Sequence, residues 1–214
     1  MPVVLCFGDS NTYGSVPLGD AGRWTRYDTQ TRWPRRMAGL LGPDWDVVEE
    51  GLPGRTTCHD NPFDGPHKNG LRLLPAILES HAPVDIVVMM LGTNDLKAHL
   101  GLTAFDIAKG VFTLGRRILL SDAGPDGAPP RLLIVSPVPV VELGARSESL
   151  RGGAEKSRRL GPMLAAHAHE LGAAFLDAGT VAMASPIDGV HLPPEAHAAL
   201  AVAVAEAVTG MQTG

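Results

Sequence analysis

The stretch Asp85-Ile86-Val87-Val88-Met89-Met90-Leu91, running straight into Gly92-Thr93-Asn94-Asp95, decides how this chain folds. It is a continuous apolar run, rich in β-branched residues and stopped by a glycine. Such a run fits a parallel strand covered on both faces. Working outward, the same pattern recurs at Val3-Val4-Leu5-Cys6-Phe7, Arg131-Leu132-Leu133-Ile134-Val135 and Ala173-Ala174-Phe175-Leu176. Asp46-Val47-Val48-Glu49 is a weaker, half-polar version.

Helix-period segments lie between these runs. Trp33 to Leu41 places Pro34 in a first turn, where proline is tolerated. Leu71 to His81 carries an internal Pro75, which weakens the helical pattern or moves its start. Thr103 to Leu120 is long and amphipathic, with Thr103 placed to cap it. Gly153 to Leu171 and Pro193 to Val208 complete the set. Strand and helix alternate throughout. That order predicts an α/β fold, a doubly wound parallel sheet of five strands with helices on both faces. No linker or internal repeat interrupts it, so residues 1–214 read as one domain.

Composition removes several function classes. Charged residues are 19% of 214, and the formal net charge is −5, so the basic footprint of a nucleic-acid binder is absent. Aromatics at 5% disfavour a stacking platform for single strands. No apolar run approaches the ~20 residues that span a bilayer. The opening Met1-Pro2-Val3 lacks a basic region and a cleavage site, which points to the cytoplasm with Cys6 and Cys58 reduced. There is no Gly-x-Gly-x-x-Gly, no P-loop and no His-Glu-x-x-His, so neither nucleotide cofactor nor metal is expected. His59, Asp60, Asp64 and His67 share a loop and read as ordinary polar groups.

In an open parallel sheet, ligands bind outside the carboxyl ends of the strands. The residues just beyond those ends are Gly8-Asp9-Ser10, Gly51 to Thr57, Gly92-Thr93-Asn94-Asp95 and, after the fifth strand, Asp188-Gly189-Val190-His191. They supply a hydroxyl, backbone donors, a side-chain amide, and a carboxylate three residues before an imidazole. Acyl transfer through serine needs this set. Ser10 is a weak nucleophile without a base, and His191 could take its proton. Asp188 would fix the imidazole tautomer. The N–H groups of Ser10 and Gly54 and the Asn94 amide are candidate donors to an oxyanion. Asp9, Asp95 and Arg55 are assigned structural roles in the same loops. There is no Gly-x-Ser-x-Gly elbow, which disfavours an α/β-hydrolase fold.

These four ordered blocks resemble the SGNH hydrolases, the GDSL esterase/lipase superfamily, and span nearly the whole chain. The resemblance implies a flavodoxin-like three-layer αβα sandwich with a central five-stranded parallel sheet, and carboxylic ester hydrolysis. It assigns Ser10, Asp188 and His191 to the catalytic triad, and Ser10, Gly54 and Asn94 to the oxyanion hole. More narrowly, Leu5-Cys6-Phe7-Gly8-Asp9-Ser10, Glu49-Glu50-Gly51-Leu52, Arg55-Thr56-Thr57, Met90 to Asp95, Val135-Ser136-Pro137 and Asp177-Ala178-Gly179 resemble the bacterial arylesterase/acyltransferase branch. That branch implies short-chain and aryl ester substrates, some acyl transfer to alcohols or hydrogen peroxide, no cofactor, and homo-oligomers as large as octamers.

Two positions depart from the pattern. Glu49 stands where many superfamily members carry asparagine. Ser15 follows Tyr13-Gly14 where acyl-transferring relatives carry a bulky aromatic, which favours hydrolysis over transfer. Tyr13, Leu52 and Thr93, with Trp24 and Val138 to Val141, are candidate pocket residues. Two alternatives stay open: a carbohydrate acetylesterase, and a non-catalytic flavodoxin-like binding module.

Overall fold

Residues of the third strand, β3 (Ile86–Met90), alternate between two separate cores. The computed structural model describes residues 1–18 and 25–212, and among these β3 is the centre of a five-stranded sheet. Its companions are β1 (Val3–Gly8), β2 (Asp46–Gly51), β4 (Arg131–Ser136) and β5 (Ala174–Asp177). The order is β2-β1-β3-β4-β5 and every pairing is parallel.

Period-two alternation divides the apolar residues. Leu5, Phe7, Val87 and Met89 pack with α3 (Gly70–His81), α4 (Ala104–Leu119) and α6 (Leu160–Leu171) through Leu74, Leu78, Ile107, Leu114 and Leu164. Cys6, Val88, Met90 and Leu133 face α2 (Trp33–Leu41) and α7 (Pro194–Gln212) through Trp33, Met37, Leu200 and Val204. This is the three-layer αβα sandwich read from the sequence. The half-polar run becomes β2, an edge strand, where a fully apolar sequence would leave apolar surface wet.

Local chemistry sets the helix ends. Thr103 caps α4 in a reciprocal capping box with Asp106. Asn69 caps α3, which begins at Gly70 and runs on through Pro75. The segment expected as one helix from Gly153 to Leu171 is instead two, α5 (Gly153–Arg158) and α6, with the joint at Arg159. Pro162 explains the interruption, because it has no N–H to donate to the carbonyl of Arg158 one turn back.

The register brings three strand ends level. Gly8 is paired with Gly51 on one side and with Met90 on the other. The segments that leave these ends, Asp9 onward, Leu52 onward and Leu91 onward, therefore emerge side by side. Cys6 and Cys58 are both free, and burial pushes the Cys6 thiol pKa well up.

Candidate active site

Directly after β1 the chain turns into a one-turn helix, α1 (Ser10–Tyr13). Asp9 caps it by accepting the Asn11 N–H at 2.9 Å. The turn sits so close to the sheet that a side chain on Gly8 would collide with the Thr12 hydroxyl. Ser10 is thereby held at the strand end, 6% exposed.

Its partner comes from the other end of the chain. His191 Nε2 lies 3.1 Å from Ser10 Oγ, and His191 Nδ1 lies 2.6 Å from Asp188 Oδ2. Both His191 and Asp188 are buried. Asp188 also accepts the N–H groups of Val190 and His191 on Oδ1 and of Leu18 on Oδ2. Burial opposes its charge. The His191 side chain and backbone N–H and the Leu18 N–H outweigh that and hold its carboxyl well below the usual range. The His191 imidazole is thus paired with a permanent carboxylate that orients it.

Nothing in the sequence singles out Asn11, yet it joins the two ends of the chain. Its side-chain amide donates to the Val190 carbonyl at 3.1 Å and its oxygen accepts the Leu192 N–H at 3.1 Å. The His191 loop is thus clamped to the helix that carries Ser10. The signal was only adjacency: Asn11 follows the candidate nucleophile.

The other two strand-end segments bring Gly54 and Asn94. Gly54 has φ of 85°, a left-handed conformation that glycine adopts without cost. Asn94 donates one amide hydrogen to the Arg55 carbonyl at 3.1 Å, which leaves the second for a ligand. Arg55 is buried and structural: it donates to the carbonyls of Gly8, at 2.9 Å, and Glu50, tying β1 to β2. Burial draws the Arg55 pKa down to about 10, against the pull of Glu50 and Asp9. Asp95 is structural too. It accepts the Thr57 N–H and hydroxyl and pairs with His59 Nδ1 at 2.9 Å. That contact is the main reason the His59 pKa is raised to about 10, with Cys58 contributing.

Glu49 is paired with arginine. It forms a two-pronged pair with Arg32, at 2.6 and 2.8 Å, and meets Arg26 at 3.4 Å.

Ser10, His191, Gly54 and Asn94 open onto one cavity of about 250 Å³. Lys68, Lys97, Arg146 and Asp64 form its rim. Tyr13, Leu52 and Thr93, expected in the pocket, are not in this lining. Tyr13 is covered by the Arg26 guanidinium 4.3 Å from its ring centroid, the Leu52 N–H is tied back to Gly8, and Thr93 is buried at the start of the turn that carries Asn94. Val138 and Val140 are buried in the two cores. Trp24 lies outside the described residues. Among the described residues no cluster of His, Cys, Asp or Glu has the geometry to hold a metal. In the loop that carries His59, Asp60, Asp64 and His67, Asp60 pairs with Arg72 and Asp64 with Lys97.

A parallel αβα sheet bearing a serine, an imidazole and a carboxylate at its strand ends defines a serine-type ester hydrolase. The chain belongs to the GDSL-like lipase/acylhydrolase family, whose model matches residues 6–199. Among solved structures it is similar to a carbohydrate acetylesterase from Sinorhizobium meliloti, at 36% identity and a TM-score of 0.94 over 99% of this chain and 100% of that one. It is equally similar to the native aryl esterase of M. smegmatis, with 38% identity, TM-score 0.93, and 98% and 99% of the two chains covered. A putative arylesterase from Agrobacterium tumefaciens gives 41% identity and a TM-score of 0.87, covering 98% and 99%. No curated protein sequence matches it. The chain is a carboxylic ester hydrolase. Among the described residues no helix is long and apolar enough to cross a membrane.

Proposed function

We propose that this enzyme hydrolyses short-chain and aryl carboxylic esters through an acyl-Ser10 intermediate. The observation that carries the reading is the continuous contact from Ser10 Oγ through His191 to Asp188, at 3.1 and 2.6 Å. Ser10 attacks the ester carbonyl as His191 Nε2 takes its proton. Asp188 steadies the imidazolium that forms. The carbonyl oxygen becomes an oxyanion that the N–H groups of Ser10 and Gly54 and the Asn94 amide can stabilise. Collapse expels the alcohol, protonated by His191. Water then attacks the acyl-serine by the same route in reverse.

A second substrate reading rests on the carbohydrate acetylesterases of Sinorhizobium meliloti, one at 36% and one at 40% identity. Acyl transfer to alcohols and assembly into a homo-oligomer belong to this proposal as well, on the resemblance to the arylesterase branch, as does a cytoplasmic setting, which two free cysteines fit. One series of assays separates the readings: aryl acetates to aryl octanoates against acetylated sugars, with wild type and Ser10→Ala, with and without added alcohol. Fast turnover of short aryl esters that vanishes in Ser10→Ala supports the first reading. Turnover of acetylated sugars alone supports the second. A folded protein that cleaves neither leaves only the non-catalytic module.

A further inference from the structure

The rim of the Ser10 cavity is more cationic than the hydrolysis of a neutral ester requires. Three cations, Lys68, Lys97 and Arg146, line it with one rim carboxylate, Asp64, on a chain whose net charge is −5. Asp64 is already committed. Its Oδ2 accepts from Lys97 Nζ at 2.7 Å and from the Asn61 amide at 2.6 Å. Arg146 Nε lies 3.8 Å from Asp188 Oδ2, and that carboxylate is shared with His191. The Lys68 ammonium has no hydrogen-bond or ion-pair partner among the described residues. Its Cδ and Cε lie 3.6 Å from where a side chain on Gly54 would begin, so the stem stands over a candidate oxyanion donor. Burial and the nearby charges of Arg55 and Lys97 lower its pKa, while Asp64 opposes them. A cleft with one sign of charge and low-dielectric walls concentrates ligands of the other sign.

We propose that this rim selects esters carrying a second, anionic group, a carboxylate or phosphate, which Lys68 binds with support from Lys97 and Arg146. Lysine suits the task because its ammonium is a mobile point charge that accepts either anion. The proposal deepens the esterase reading and rests on it. The anionic group can sit on either side of the ester bond.

The test compares charged esters with neutral partners of nearly the same shape. For an anion on the alcohol side the pair is 4-acetoxybenzoate and 4-acetoxybenzamide. For an anion on the acyl side it is monophenyl adipate and its terminal amide. Wild type is expected to favour the charged member of at least one pair by about tenfold in kcat/KM, the order expected of one charge-assisted contact at a half-wetted rim. The preference should shrink as salt rises from about 20 to about 500 mM. In Lys68→Met the charged-to-neutral ratio should fall toward one, and in Lys68→Glu below one. The proposal is overturned by a ratio of one or less in both wild-type pairs, by a ratio insensitive to salt, or by a preference that survives in both Lys68 variants. Phenyl acetate is assayed alongside. Its turnover without charge preference sinks this inference alone, whereas failure to cleave any ester sinks the esterase mechanism.

Discussion

His191 Nε2 stands 3.1 Å from Ser10 Oγ although the two residues are 181 positions apart. The contact requires the first strand and the last loop to meet at one sheet end. Two links hold it there: Asn11 binding the Val190 carbonyl and Leu192 N–H, and Asp188 binding the Leu18 N–H.

Asp188→Asn keeps the shape of the site but not its charge. An amide can present an N–H toward His191 Nδ1, which would favour the wrong imidazole tautomer. The expected loss in kcat is about 10²–10⁴-fold with little change in KM. Steady-state kinetics on phenyl acetate, with circular dichroism to confirm folding, checks it.

Asn94→Ala removes one candidate oxyanion donor and the contact to the Arg55 carbonyl. A loss of about 10²–10³-fold in kcat is expected. A fall in kcat/KM that comes wholly from KM would instead mean that Asn94 binds the ground state.

Much of this site was legible in the sequence, and for a physical reason. Parallel strands buried on both faces must be continuously apolar, so Val3 to Phe7 and Asp85 to Leu91 announce themselves, and the candidate catalytic residues follow at their ends. The split at Arg159 was missed because Pro162 acts one turn earlier in the chain than the place where it stands. The one-turn helix at Ser10 is too short to show a period. The rim was invisible because Lys68, Lys97 and Arg146 come from three separate loops, and only tertiary packing brings them to one cavity. Glu49 looked like a bare departure from the family pattern until Arg32 supplied its partner.

That partnership predicts a stability cost. Glu49 and Arg32 are both mostly buried, with side chains 13% and 10% exposed. Glu49→Gln leaves the Arg32 guanidinium without its counter-charge, and breaking a buried pair from one side costs up to about 3–5 kcal/mol. Some residual solvent access places the expectation at about 2 kcal/mol. Urea unfolding of the two proteins measures the difference.

His197 predicts how acid acts on the fold. Burial, with the charges of His191 and Arg36, lowers its pKa from 6.5 to about 4. Its Nδ1 accepts the Trp33 N–H at 3.3 Å, and its buried Nε2 has no partner. Between pH 6.5 and about 4 the unfolded chain binds a proton that the folded chain refuses, so this group makes stability fall as pH falls. The full effect is on the order of 3 kcal/mol. Asp9 works in the opposite sense. Burial raises its carboxyl from 3.8 to about 6, so the folded chain binds the extra proton there and stability falls as pH rises. The two partly cancel in the wild type. The informative comparison is therefore His197→Gln, whose stability should drop less than that of the wild type between pH 6.5 and 4 in urea unfolding.

In the proposed mechanism Ser10 carries the acyl group. The most direct measurement is peptide mass spectrometry after treatment with an aryl phosphonate that traps nucleophilic serines. One adduct per chain is expected, on the peptide containing Ser10, formed in step with loss of phenyl acetate turnover and absent from Ser10→Ala. An adduct on another residue, or full inactivation with Ser10 unmodified, would contradict it.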